Sequence, residues 1–286
     1  FGSMPFGKRD ARFLFVAYFD PNGIETIPQN IQAWQSLSRH ELVLLNLWPG
    51  RPVGMRLPNG LRLEAFDGII IHPTVSYSPQ TVEHLDAALD PGLAAFDGVK
   101  VLMKQDEQVL AGRLAPLVRD KGFDIVMTCL APAEQDKVYP RSVIGDCALV
   151  HVLTGYVSPG MRSGWKPLTR DIDLSYRGSI QPLEFGRLGF EKRGIGYDMS
   201  AALGRHPAIR FDISSRWEDR LSGTTWSDFL SRSNVVLGAE SGANLFDFDG
   251  QVARWCCDYA ARHQADDVSS FAYYKRADDE FLHTFE

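Results

Sequence analysis

The sequence predicts an α/β protein of two Rossmann-like domains with parallel sheets, the second domain short or incomplete. Three observations predict it. Short apolar runs alternate with amphipathic stretches, the pattern of a parallel sheet covered on both faces. The alternation breaks near residue 157, in the Pro-, Gly- and base-containing stretch SPGMRSGWKPLT at 158–169, and restarts at Asp171. At 286 residues, the chain is long enough for two domains of ordinary size. The domains are expected over 4–160 and 168–286, after a tag remnant at 1–3 and a start at Met4.

Each element has a local reason. Residues 12–19 (RFLFVAYF) are β-rich and stop at the turn cluster Asp20-Pro21-Asn22-Gly23. Residues 41–48 (ELVLLNLW) and 67–71 (DGIII) read as buried strands, the latter ending at His72-Pro73. Ser78 suits a helix N-cap with Pro79 at the first helical position, and Val82, Leu85 and Leu89 follow at helical spacing. Residues 99–103 (VKVLM) and 124–129 (DIVMTC) are further strands. Between them Val109, Leu110, Leu114, Leu117 and Val118 make a helical face that stops near Gly122. After the break, strands are expected at 171–176 (DIDLSY), 208–213 and 234–237 (NVVL). Helices are expected over 183–203, with Phe185, Leu188, Met199 and Leu203 inward, and from a cap at Thr225 through Leu230.

Composition excludes several classes. With 44% hydrophobic and 23% charged residues the chain is neither disordered nor fibrous. A net charge of −6 disfavours a phosphate-backbone binder, so no nucleic-acid partner is expected. Cysteines 129, 147, 256 and 257 form no CxxC pair, which fits reduced thiols in the cytoplasm better than disulfides or a zinc site. No apolar run is long enough for a transmembrane segment, and no signal peptide is evident. The seven histidines show no zinc-hydrolase spacing, and no Walker loop, GxGxxG or GxSxG motif is present.

In open α/β sheets ligands bind beyond the carboxyl ends of the strands, so polar residues there carry weight. Arg177-Gly178-Ser179 follows DIDLSY: the arginine can pair with a diphosphate, the glycine admits close approach, and the serine and amides can take a phosphate. The competing reading is a surface turn with a salt bridge. Glu240-Ser241-Gly242 and Asn244 follow NVVL. The glutamate can accept from ribose or sugar hydroxyls, and the alternative is an acidic helix start. Asp106 and Glu107 follow VKVLM and can supply a general base, or merely begin a helix. His72 can be a catalyst or hydrogen-bonded structure. Asp247-Phe248-Asp249 has the form of a divalent-cation triplet but precedes Gly250, which reads as a turn; no metal is expected.

Taken together, His72-Pro73, KVLMKQDE (100–107), LTGY (153–156), LSYRGS (174–179) and above all VLGAESGANLFDFDG (236–250) resemble a group of bacterial family-1-type glycosyltransferases of surface-polysaccharide and exopolysaccharide biosynthesis. The resemblance covers nearly the whole chain. It implies the GT-B architecture and a metal-independent enzyme without cofactor. The implied partners are a nucleotide-sugar donor and a saccharide or lipid-linked saccharide acceptor, at the cytoplasm or the inner-membrane periphery. The donor is expected at Arg177, Gly178, Ser179, Glu240, Ser241, Gly242 and Asn244, and a base, if the enzyme inverts, among Asp106, Glu107 and His72. Two departures stand out. The paired glutamates of better-known GT-B enzymes are eight apart, but eight residues after Glu240 stands Phe248, flanked by Asp247 and Asp249. The second domain has about three strand–helix units where relatives of this type continue. An incomplete domain is expected to leave apolar surface at Phe271, Tyr273, Tyr274 and Phe281, and either to pair as a homodimer or to bind nucleotide weakly for want of a pocket wall. The rival readings are a non-catalytic nucleotide- or saccharide-binding module and a sugar-nucleotide epimerase of the same architecture.

Overall fold

The computed structural model describes residues 10–50, 57–153, 169–240, 242–264 and 270–285. The chain divides into two compact units, Phe1–Tyr156 and Val157–Glu286. The break in alternation expected over 158–169 lies, except for Thr169, outside the described residues.

Unit 1 is a six-stranded, all-parallel sheet in the order β2-β1-β3-β4-β5-β6. Its strands are β1 (Arg12–Ala17), β2 (Glu41–Asn46), β3 (Gly68–Ile71), β4 (Val99–Met103), β5 (Ile125–Thr128) and β6 (Ala148–His151). The central strands are apolar on both faces: every residue of β3 is buried, as are five of the six in β1. Such strands belong in a sheet covered by helices on both sides. Gly68 is required there, because a Cβ would lie 2.5 Å from both the Phe13 ring and the Val99 carbonyl.

The helices of unit 1 begin with α1 (Thr26–Leu37), the short α2 (Pro73–Ser76) and α3 (Pro79–Ala88). They continue with α4 (Leu114–Lys121) and the short α5 (Gln135–Val138) and α6 (Arg141–Ile144). Ser78 caps α3, with Pro79 at the first position, and Val82 and Leu85 are buried inward. Gly122, at φ +66°, closes α4 in the left-handed conformation that suits glycine. From β1 the chain steps out to β2, then returns past β1 to β3. The strand order therefore reverses between β1 and β3, which makes their carboxyl ends the natural ligand position of this sheet.

Unit 2 holds a three-stranded parallel sheet, β8-β7-β9, from β7 (Ile172–Arg177), β8 (Phe211–Ser214) and β9 (Ser233–Val236). Its helices are α7 (Arg187–Leu203), α8 (Gly223–Arg232), α9 (Gln251–Arg262) and α10 (Phe271–Phe285). The helix expected over 183–203 is broken: a 3-10 turn at Leu183–Phe185 precedes Gly186 at φ +63°, and α7 starts after it. The cap of α8 is Ser222 and not Thr225; the Ser222 N–H donates to Thr225 Oγ1 at 3.3 Å.

The expected exposed aromatic surface at the C-terminal end is not there. Tyr273 and Phe281 are 3% and 0% exposed, and Phe271 and Tyr274 are half-buried. Leu183, Phe190, Val252, Cys256, Tyr259, Tyr273, Ala277 and Phe281 form a core of their own in which α7, α9 and α10 bury one another's apolar faces. The open apolar surface lies instead on the edge strand β9, where Val235 and Val236 are 53% and 45% exposed. All four cysteines are free thiols, and among the described residues no helix is long and apolar enough to cross a membrane.

Candidate functional site

At the carboxyl edge of the six-stranded sheet, β3, β4 and β5 deliver His72, Lys104 to Glu107, and Thr128 with Cys129. His72 caps α2. Its Nδ1 accepts the Thr74 backbone N–H at 3.2 Å and lies 2.9 Å from Thr74 Oγ1; its Nε2 lies 3.4 Å from Asn30 Oδ1. One ring nitrogen must accept and the other must donate, which is the neutral imidazole. The ring is 5% exposed, and burial pushes its pKa down from 6.5 to about 4. These contacts fit the structural alternative, in which the ring holds the turn after β3.

The acids differ from each other. Glu107 is 3% exposed, and its Oε1 accepts the Thr128 hydroxyl at 2.5 Å. Burial raises its pKa, while the Thr128 hydrogen bond and the nearby Lys104 charge act against the rise. Asp106 is only half-buried. Its proton affinity is also raised, first by burial and against the pull of Lys104. Neither acid begins a helix: the next one, α4, starts at Leu114, after a 3-10 turn at Ala111–Arg113. Asp106 is thus the member of the expected trio that combines access with an elevated proton affinity.

The neighbourhood is polar and buried. Lys104 is 2% exposed. Its ammonium donates to the Ser76 and Tyr77 carbonyls. Cys129, whose thiol burial pushes up to about 11, donates through Sγ to the Lys104 carbonyl at 3.6 Å. Tyr139 is fully buried, and its hydroxyl has no hydrogen-bond partner among the described residues. Of these, Thr128, Cys129 and Tyr139 were not marked by the sequence. Their signal was weak, since a threonine or cysteine ending an apolar strand is common in cores.

In unit 2 the expected donor residues separate. Arg177 is occupied: Nε donates to the Asp219 carbonyl at 3.1 Å, and Nη1 to the Tyr176 and Asp212 carbonyls at 2.9 and 3.2 Å. Nη2 pairs with the Asp212 carboxylate at 2.8 Å, and the guanidinium stacks 4.4 Å from the Phe229 ring centre. It clamps β7 to β8 and α8, in keeping with the structural alternative. Gly178 has an internal reason too, since a Cβ there would lie 2.4 Å from the Tyr176 hydroxyl. Ser179 is exposed and accepts from Gln181 Nε2 at 2.7 Å.

Glu240 is exposed beyond β9 and lines a groove of about 980 Å³, together with Gly238, Arg187, Gly194, Phe271 and Lys275 from the loop, α7 and α10. It is not a helix start, because α9 begins only at Gln251. Gly242, at φ +122°, serves the turn that follows. Asn244 Oδ1 accepts the Leu188 N–H at 3.4 Å, so the side chain faces the start of α7. Ser241 lies outside the described residues.

The aspartate triplet is a helix cap. Asp247 accepts the N–H groups of Gly250, Val252 and Ala253 at 2.7, 3.3 and 3.0 Å, and Asp249 Oδ1 accepts that of Gln251 at 3.1 Å. These are the unpaired amides that open α9. Among the described residues no cluster of three metal-ligating side chains occurs. No family model matches the chain, and no curated protein matches it.

Proposed function

We propose that the chain transfers a glycosyl group from a nucleotide sugar to a saccharide hydroxyl, with Asp106 as the base on the acceptor side. The observation that carries this reading is the contrast between the three expected bases. His72 is held neutral in a cap and Glu107 is buried against Thr128, whereas Asp106 is accessible at a strand's carboxyl end and has a raised proton affinity. A raised carboxylate pKa suits a group that must take a proton near neutrality. In an inverting transfer, Asp106 takes the acceptor hydroxyl's proton, the freed oxygen bonds to the anomeric carbon, and the bond to the nucleoside diphosphate breaks.

On the donor side the support is Glu240, exposed beside the open space at Gly238, where a Cβ would meet nothing within 4 Å. A carboxylate there can accept from ribose or sugar hydroxyls. The cations lining the same groove are Arg187, Arg193 and Lys275, so Arg177 has no direct part in this reading. A thermal-shift panel of nucleoside diphosphates and nucleotide sugars tests it. One ligand at 100 times its dissociation constant stabilises the chain by about 2.7 kcal/mol, and the Glu240→Gln variant loses that shift. A panel without any shift refutes it.

One observation favours a second reading, a binding module without catalysis. The arginine best placed by sequence for a diphosphate is committed to internal partners. A nucleotide sugar that stabilises the protein yet is never turned over, with or without acceptor, supports this module.

A further inference from the structure

Lys104 is the most buried cation beside the candidate base, and the reaction as written does not use it. Its contacts tie three elements together. The backbone N–H donates to the Met127 carbonyl of β5 at 2.7 Å, and the backbone carbonyl accepts from Cys129 Sγ at 3.6 Å. The ammonium donates to the Ser76 and Tyr77 carbonyls at the carboxyl end of α2, at 2.5 and 3.2 Å. Ser76 completes the loop, because its hydroxyl donates back to the Met103 carbonyl at the end of β4. A carbonyl-lined pocket at the end of a helix is a natural seat for a cation.

Among the described residues the ammonium bonds to backbone carbonyls and forms no direct ion pair, although Asp106 and Glu107 are two and three residues away and feel its charge. A buried lysine with no carboxylate in contact does not quench an acid; it acts on it through space. Burial favours the neutral form of the Cys129 thiol, the Tyr139 phenol and the capped His72. The local balance is therefore one cation against two acids. Without the cation, two adjacent partly buried carboxylates would repel each other, and both would hold their protons more tightly.

We propose that Lys104 is the positioning residue of this acid loop: it anchors residues 104–107 to the end of α2 and sets a buried cation beside Asp106 without an ion pair to it. The proposal deepens the reading of Asp106 as base and rests on it for its meaning in catalysis. Its physical content, a charge coupling between two named side chains, stands apart from any activity.

The experiment is a carboxyl-carbon NMR titration of Asp106 in the full chain, in the wild type and in the Lys104→Met and Lys104→Arg variants. Lys104→Met raises the Asp106 pKa by about one unit, and Lys104→Arg brings it back towards the wild-type value. If transfer activity is present, its acid limb moves up by the same amount in Lys104→Met, and kcat falls more than KM changes. An Asp106 titration identical in wild type and folded Lys104→Met overturns the proposal. Should Lys104→Met fail to fold, the same coupling is read from its other end: the Lys104 ammonium titrates lower in Asp106→Asn than in the wild type, and an unchanged Lys104 midpoint overturns the proposal. Absence of any transfer activity counts against Asp106 as a base and leaves the coupling measurement untouched.

Discussion

His72 gives the sharpest quantitative expectation, because burial separates its folded and unfolded proton affinities. The folded value is about 4 and the ordinary one 6.5. As pH falls, the unfolded chain takes up the proton first, so stability is fully present above 6.5 and is lost as pH drops towards 4. The separation is 2.5 pH units, worth about 3.4 kcal/mol when complete, of which about 2.5 kcal/mol is lost by pH 4.5. The ring is 5% exposed, so solvent screens little of this.

The matching variant is His72→Asn, whose side-chain oxygen can accept the same Thr74 N–H and does not titrate. Amide exchange in β3, Gly68–Ile71, reads the opening of unit 1 by itself. Between pH 7 and 4.5, after correction for intrinsic rates, protection in the wild type should fall about 60-fold more than in His72→Asn. The carboxylates common to both proteins cancel in this comparison. Equal losses in the two would refute the reasoning and return His72 to the list of groups that titrate freely near neutrality.

Three further outcomes follow from the same geometry. Gly178→Ala forces a Cβ to 2.4 Å from the Tyr176 hydroxyl and should destabilise unit 2 by about 1–3 kcal/mol in urea titration; an unchanged midpoint would show that the tyrosine yields. Arg177→Lys keeps the charge but not the fork that reaches Asp219, Tyr176 and Asp212, so its Tm should fall even without ligand; a variant of wild-type stability that only loses nucleotide affinity contradicts the clamp. Asp247→Ala removes the acceptor for three amides at the start of α9 and should cost about 1–2 kcal/mol. Chelator treatment of the wild type should leave its Tm unchanged, and a chelator-sensitive Tm would restore the metal reading of this triplet.

The strands were legible because most of them are apolar on both faces, a signal that a single sequence carries undiluted. Their carboxyl ends were overextended where Tyr18-Phe19 and Leu47-Trp48 prolong an apolar run past the last ladder bond. The edge strand β6 carries no such signal, since three of its four residues are exposed and the fourth is half-buried. Helix α1 carries little more, with Ile31 its single buried residue. The burial of Tyr273 and Phe281 depends on α7 and α9 meeting α10 in space, and no periodicity within one segment records that.

The site follows the same logic. Polar residues at strand ends could be found by reading, but whether each is occupied depends on partners far along the chain. Arg177 finds Asp212 and Asp219, thirty-five and forty-two residues away, and Glu107 finds Thr128, twenty-one away. The short-range cap formed by His72 with Thr74 lay within sequence reach, because a polar residue ahead of Pro73 at a helix start is a capping signal.

The most direct test of the central claim is release of nucleoside diphosphate from nucleotide sugars in the presence of saccharide acceptors, compared between wild type and Asp106→Asn. The isosteric amide keeps shape and removes the base. The account predicts acceptor-dependent turnover in the wild type, lowered about 100-fold or more in Asp106→Asn, with donor-induced stabilisation unchanged. Turnover that survives in Asp106→Asn, or a wild type that stays inert across the panel, would contradict it.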